Sequence, residues 1–290
     1  MRILEIEGFR IIVRNRQGID KESTKYYYTI YECIIMIWDK YLDKFDLPPS
    51  FFQHISKDTD KYCVIVEPRN NPLLISVIKN FMFLLQTRGW GLIVFHGTKN
   101  ETLLHDALGE WPNVIMYNMN VDNLKTETYS KLLMGANFWQ RLLDYGCKHA
   151  LIFQMDTILL NPDLDSFLEY DYVGAPWENG FRGVVSGNGG LSLRDVETML
   201  TISNTCPANH GQMCFEDIFF SYWCKEKGYH VPSKEIASQF SVETIYYETP
   251  CGMHKPTIDP ALVNTILEKS YIHTINPLMI FSNSYHNPDK

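Results

Sequence analysis

This chain has no C-x-x-C pair, and none of its seven cysteines stands with a histidine at the spacing of a structural zinc site. An odd, unpaired set argues against a disulfide scaffold and fits a reducing compartment. Cys63, inside an apolar run, reads as a small buried hydrophobe. A basic excess is missing too. Lys and Arg number 26 against 34 Asp and Glu, a net charge of −8. That balance argues against a nucleic-acid or anionic-membrane binder, since both need a basic face. An anionic ligand would have to be met locally, by a metal ion or a few placed cations. Long apolar runs are absent as well: the stretch over 30–38 is broken by Glu32 and is too short to cross a bilayer. The opening MRILEIEGFRIIVRNR interrupts its apolar residues with charges, unlike a signal peptide. The expectation is a soluble, cytoplasmic protein with no transmembrane segment, in which the sequon Asn100-Glu101-Thr102 goes unused. No internal repeat and no low-complexity linker is visible.

What is present is enough for a full core. A chain of 290 residues with 45% hydrophobic and 21% charged content can form one large domain or two coupled lobes. Residues 1–60 carry no chemical motif and read as an N-terminal extension or small lobe. Short strands are expected at 3–6 and 9–13 around Gly8, and a helix over 24–45 ended by Leu47-Pro48-Pro49. The group Tyr26-Tyr27-Tyr28 reads as packing. From residue 62 strands and helices alternate. Strands are predicted at 62–66, 92–95, 114–117 and from 150 onward. Between them lie a helix striped with Leu74, Val77, Ile78, Phe81, Leu84 and Leu85 and closed by Gly89, a short polar helix over 101–108, and one helix over 129–143. Such β–α units predict an α/β fold, a doubly wound, mostly parallel sheet with helices on both faces. After Leu160 the expectations are a short helix at 165–168, strands at 171–175 and 191–193, helices at 196–201 and 215–227, short strands at 229–232 and 244–247, and a final helix at 261–269. Residues 177–190, rich in Gly and Asn, read as a loop.

Four stretches carry chemistry. The run ALIF ends at Gln154-Met155-Asp156, placing a carboxylate where a buried strand leaves the carboxyl edge of the sheet. On an extended chain Gln154 and Asp156 project to one side and can hold a hard divalent cation; alternatively Asp156 caps the next turn. Gly187-Asn188-Gly189-Gly190 is either a close backbone approach to a ligand or a plain turn. Glu216-Asp217 opens an aromatic helix, as a general base or as charges that suit a helix N-terminus. Gly252-Met253-His254-Lys255-Pro256 is the fourth.

In this order, QMD between strands, DYVGAPW, GNGGLSLR, FEDIFFSYW and CGMHKP resemble the nucleotide-sugar-dependent glycosyltransferases of the GT-A fold. More narrowly they resemble a family of glycosyltransferase-like proteins of unknown function found in bacteria, fungi and large DNA viruses. The resemblance covers roughly 62–256. It implies a Rossmann-like GT-A domain over 61–290, with a nucleotide-binding half (61–160), an acceptor and catalytic half (161–256) containing a smaller acceptor-side sheet, and a C-terminal helix and tail (257–290).

By this resemblance a sugar would pass from a nucleotide-diphosphate sugar, expected to be a UDP-sugar, to a hydroxyl of a glycan, protein or small-molecule acceptor. Inversion is expected. Asp156 is then the principal ligand of a divalent cation, with Gln154 where the family's Asp-x-Asp motif has its first acid. His254 matches a further ligand, and its imidazole tilts preference from Mg²⁺ to Mn²⁺. The donor site would take Glu67 and Arg69 at the end of the first strand, although Arg69 can equally pair with Glu67. It would also take Asn188, Gly189, Gly190 and Lys255. Trp177 would stack on the acceptor or fill the core rim. Asp217, in preference to Glu216, would be the base. Lys131 and Asn137 lie on the preceding helix, where Trp139 reads as core. Two rivals stand beside this reading. One is an inactive sugar- or nucleotide-binding module, suggested by Gln154. The other is a nucleotidyltransferase, which should show a Gly-rich loop and a lysine after the first strand, where this chain has Glu67-Pro68-Arg69-Asn70.

Overall fold

The computed structural model describes residues 2–6, 9–13, 38, 41–181, 183–207 and 215–275. Strands β1 (Arg2–Ile6) and β2 (Phe9–Val13) pair antiparallel, as expected around Gly8. The helix expected over 24–45 lies largely outside the described residues, and Tyr26-Tyr27-Tyr28 and the tail after 275 wholly so. Next come β3 (Lys61–Glu67), α1 (Leu74–Leu85), β4 (Trp90–His96), α2 (Glu101–Leu108) and β5 (Val114–Asn118). Then follow α3 (Thr126–Met134), α4 (Ala136–Asp144), β6 (His149–Phe153), β7 (Thr157–Leu159) and β8 (Tyr172–Gly174). A hairpin of β9 (Pro176–Phe181) and β10 (Val184–Ser186) leads to β11 (Leu191–Asp195), α5 (Val196–Thr205) and α6 (Glu216–Lys227). The last described elements are α7 (Lys234–Phe240), β12 (Ser241–Val242), β13 (Gly252–His254), α8 (Pro260–Lys269) and α9 (Tyr271–Thr274).

Six strands form the central sheet in the order β5-β4-β3-β6-β11-β8. The first four are parallel, and β11 runs antiparallel to both β6 and β8. The continuous apolar runs are explained by burial on both faces, with side chains alternating between two cores. Cys63, Ile65, Leu92, Val94, Leu151 and Phe153 face one; Val64, Val66, Ile93, Phe95, Ala150 and Ile152 face the other. Helix α1 covers the first core with Val77, Ile78 and Phe81, and Phe81 stacks on Phe153 at 4.0 Å. It starts without a side-chain cap. At roughly 1.5–3 kcal/mol per buried large apolar side chain, the stripe accounts for this helix better than its ends do. Helices α3–α6 cover the second core through Leu133, Trp139, Met199 and Phe219. The doubly wound α/β architecture expected from the alternation is therefore what forms, and among the described residues no barrel closes. Among the described residues no helix is long and apolar enough to cross a membrane.

Four local expectations fail for identifiable reasons. The helix over 129–143 is two, because Gly135 takes an extended backbone (φ −79°, ψ 130°) that ends α3 and starts α4; glycine has no side chain to hold it helical. Part of the 177–190 loop is the β9–β10 hairpin. No strand forms at 229–232, where the Tyr229 N–H closes the preceding helix on the Cys224 carbonyl and the N–H and carbonyl of His230 meet Asp171. None forms at 244–247 either; the short strand is β12, which follows α7, a helix that was not anticipated.

A second sheet, β12-β13-β7, supplies the smaller sheet. Its register, Gly252 opposite Leu159 and His254 opposite Thr157, joins segments almost a hundred residues apart. On the open side of β7 the fully buried Asn80 of α1 takes the place of a further strand. Its side-chain amide donates to the Leu159 carbonyl (3.0 Å) and accepts from the Leu159 N–H (2.8 Å). Replacing Asn80 with Ala leaves both buried backbone groups unpaired. Urea unfolding should show a loss of about 2–4 kcal/mol; a change under about 0.5 kcal/mol would mean that water replaces the amide.

Candidate active site

The chain leaves β6 at Phe153 and turns at once. The Gln154 N–H donates to the Gly190 carbonyl (2.9 Å), and the Gln154 carbonyl accepts from the N–H and hydroxyl of Thr157. The segment is thus a turn rather than the extended strand from which Gln154 and Asp156 were expected to project together. The Gln154 amide lies beside the Tyr129 hydroxyl. Asp156 faces the second sheet, where its carbonyl accepts from the Lys255 N–H (3.0 Å) as the β7–β13 ladder ends.

That ladder delivers His254. Its Nε2 stands 3.3 Å from Asp156 Oδ1, and its Nδ1 stands 3.5 Å from Glu243 Oε1. Both ring nitrogens are buried and close to carboxylates, yet neither makes a hydrogen bond of ordinary geometry. Burial alone would drive His254 toward neutrality, but Asp156 and Glu243 outweigh it and hold the ring up to about 9. Burial likewise opposes the Asp156 charge, and His254 and Lys255 reverse this, taking the carboxyl down to about 2.

The pair fits a divalent cation. Ligands about 2.1 Å from a shared octahedral ion stand about 3 Å apart, and the observed gap is 3.3 Å between one oxygen and one imidazole nitrogen. Among the described residues no three His, Cys, Asp or Glu side chains form a metal-holding group. The protein therefore offers a partial shell, with Glu243 on the far side of the ring. Lys255, exposed beside it, holds a left-handed backbone (φ 38°) immediately before Pro256, a strained position for a lysine.

The loop between β10 and β11 separates this pair from a second cluster. The Asn188 carboxamide oxygen accepts from the Gly190 N–H (3.0 Å). A side chain on Gly190 would lie 2.2 Å from His254 Nε2, and one on Gly189 would lie 2.2 Å from Glu216 Oε1 and 2.9 Å from Asp217 Cβ. Two consecutive glycines thus face the two clusters, which puts Asp217 and the His254 ring roughly 12 Å apart at most.

In the second cluster Arg194, fully buried, grips Glu216 with both ends of its guanidinium (2.6 and 3.1 Å). Its Nε donates to Ser192 Oγ (2.9 Å), and the rings of Tyr172, Phe220 and Trp139 surround it. Both Glu216 oxygens are therefore occupied. Asp217 is half-buried and accepts from the N–H groups of Ile218 (2.8 Å) and Gly189 (3.4 Å). Burial, together with the neighbouring Glu216 charge, pushes its carboxyl up to about 6. Between the clusters the Tyr129 hydroxyl is buried without a hydrogen bond of ordinary geometry, and burial followed by the Glu216 charge raises its pKa.

At the ends of β3 and β4, Arg69 pairs bidentately with Glu67 (2.8 and 2.6 Å), and Asn100 donates to the carbonyls of both (2.7 and 3.1 Å). This group lies at the carboxyl edge of the sheet. Trp177, partly buried, is held on β9 between Pro176 and Glu178. The Pro176 carbonyl accepts from the Thr244 hydroxyl (3.1 Å), which in turn accepts from the Glu178 N–H (3.3 Å). Trp139 is core, while Lys131 and Asn137 are exposed on α3 and α4. The structure thus brings Asp156 to His254, and Asn188–Gly190 between them and Asp217. Glu243, Arg194 and Tyr129 were missed. Arg194 was visible at the end of GNGGLSLR; Glu243 had no local signal.

A family model described as "Protein of unknown function (DUF5672)" matches residues 114–254, a span from β5 to β13 that holds both clusters. No curated protein matches the chain. Among solved structures, the apo form of glycosyltransferase GlyE in Streptococcus pneumoniae TIGR4 aligns at 10% identity over 79% of this chain, with a TM-score of 0.47. This chain spans 63% of the length of that one. The galactosyltransferase LgtC, in complex with donor and acceptor sugar analogues, aligns at 12% identity over 69% of this chain and 88% of its own, with a TM-score of 0.40.

Two predictions follow from the geometry. Lys255→Gly removes the left-handed strain and should raise the thermal midpoint, with a gain of up to about 1 kcal/mol. In metal-free protein the Asp156–His254 pair should also shape stability against pH. His254, raised from 6.5 to about 9, contributes stability that is complete below pH 6.5 and lost as pH rises through 9. Asp156, lowered from 3.8 to about 2, contributes stability present above 3.8 and lost as pH falls through 2. Urea unfolding of wild type against His254→Gln should differ most between these limits, and the difference should shrink by pH 10.

Proposed function

We propose that this chain is a glycosyltransferase of the GT-A type, transferring a sugar from a nucleotide-diphosphate sugar, by expectation a UDP-sugar, to an acceptor hydroxyl with inversion. The observation that carries the reading is Asp217: a half-buried carboxylate held up to about 6, set across two glycines from the Asp156–His254 pair. A carboxylate with that value is ionised at neutral pH and still basic enough to accept a proton. Asp217 takes the acceptor hydroxyl proton as the oxygen bonds to the anomeric carbon and the bond to the diphosphate breaks. Glu216 cannot share this role, since Arg194 occupies it.

Asp156 and His254 would hold the divalent cation, Mn²⁺ in preference to Mg²⁺ because one ligand is an imidazole. When bound, that ion neutralises charge on the departing diphosphate. Gln154 stands where a second acid would add charge and adds none. Lys255 meets a phosphate, and Asn188, Gly189 and Gly190 let the donor sugar approach the backbone. Glu67 and Arg69 serve the nucleotide end, where their mutual pairing fixes the guanidinium. Trp177 offers a ring face to the acceptor, whether glycan, protein or small molecule.

The partial shell and the uncharged Gln154 also favour a second reading, a module that binds a nucleotide sugar without turning it over. Thermal-shift measurements against a panel of nucleotide sugars with and without Mn²⁺, followed by product analysis, separate the two. The transferase reading expects stabilisation by one donor class, lost in Asp156→Ala, and release of nucleoside diphosphate. Asp217→Asn should keep that donor shift while lowering turnover by about 10²–10⁴. In wild type kcat/KM should fall about tenfold per pH unit below about 6. Donor binding with no product at any pH would establish the binding module instead.

A further inference from the structure

We infer that Glu243 is the positioning residue of His254: its carboxylate accepts from Nδ1–H and keeps that proton on Nδ1, so that the Nε2 lone pair faces Asp156 and is available to a divalent cation. This rests on the metal site proposed above. A neutral imidazole has one N–H and one lone pair, and the nitrogen that keeps the proton decides which side can ligate. His254 lies between two carboxylates at nearly equal range, Asp156 at 3.3 Å from Nε2 and Glu243 at 3.5 Å from Nδ1. A cation on the ring displaces one proton, and the two carboxylates then compete for the other. If Asp156 held it, Nε2 would become a donor and the lone pair would point away from the site. With Asp156 engaged by the cation, Glu243 is the carboxylate left to accept from Nδ1–H, which favours ligation through Nε2. Metal-binding histidines recurrently need such a carboxylate partner on the second nitrogen.

The surroundings hold this geometry in place. The ring lies on Gly190, where any Cβ would fall 2.2 Å from Cε1 and Nε2, so the ring plane is set by a missing side chain. The backbone of Glu243 is tied by Thr257, whose N–H donates to its carbonyl (2.7 Å). The next residue, Thr244, is tied to both neighbours of Trp177. Glu243 meets the ring at Nδ1, whereas Asp156 meets it at Nε2, in accord with the absence of a three-residue metal group among the described residues.

Calorimetric titration of the full chain with Mn²⁺ at neutral pH tests this on wild type, Glu243→Ala, Glu243→Gln and His254→Ala, with circular dichroism to confirm folding. Glu243→Ala should weaken Mn²⁺ affinity about 10–100-fold. Glu243→Gln should recover most of the loss, because its amide oxygen still accepts from Nδ1–H; a purely structural role for the charge would show no such rescue. Unchanged affinity in Glu243→Ala, beside loss in His254→Ala, would overturn the inference and leave the metal site standing. So would a folded Glu243→Gln that binds as poorly as the alanine variant. Absence of Mn²⁺ binding by wild type would instead remove the metal assignment, and this inference with it.

Discussion

The meeting of Asp156 with His254 depends on three backbone pairs between β7 and β13. Side chains alternate along a strand, so a slip of one residue would turn His254 away from Asp156 and take the Glu243 contact with it. Three-residue strands define a register weakly on their own. Here it is reinforced from outside: Asn80 satisfies Leu159 from the helix side, and the Cys251 carbonyl accepts from both Leu160 and Asn161. The core of the large sheet thus reaches, through one buried amide, to the alignment of a carboxylate with an imidazole.

How much of this could be read from the amino acids varied with the length of the element. The parallel strands β3, β4 and β6 announce themselves as apolar runs, because burial on two faces leaves no polar positions. Helix α1 does so through its three- and four-residue spacing. Strands β12 and β13 span two and three residues, too short for any periodicity. The aromatic and β-branched residues after Thr244 suggested a strand that tertiary contacts do not support. The same limit hid Glu243. Nothing near it in the chain marks it as a partner of His254, and only the small sheet makes them neighbours. Glycine was legible as a place of close approach at 189–190, but not as a break at 135, since helical spacing continues on both sides of it.

The two acidic neighbours Glu216 and Asp217 show how packing divides roles that composition leaves equal. Adjacent at the start of α6, they differ in what their oxygens meet. One is clasped by a guanidinium enclosed by three aromatic rings; the other meets two backbone N–H groups and remains half open. The first is held in place by its arginine, and its charge, after burial, helps to raise the second. Tyr129 and Gln154 occupy the space between this pair and Asp156, so the two halves of the site are separated by polar side chains as well as by backbone.

Among the described residues two Arg–Glu pairs are bidentate, and they differ in contact with solvent. The Arg69 side chain at the strand edge is 57% exposed, whereas that of Arg194 is 0% exposed. Mobile counterions screen charges in water over about 8 Å at physiological concentration, but hardly reach a sealed pair. Electrolyte therefore acts on the two pairs unequally: it loosens the grip of the outer pair while the inner one, and the field it casts on Asp217, stays as it is.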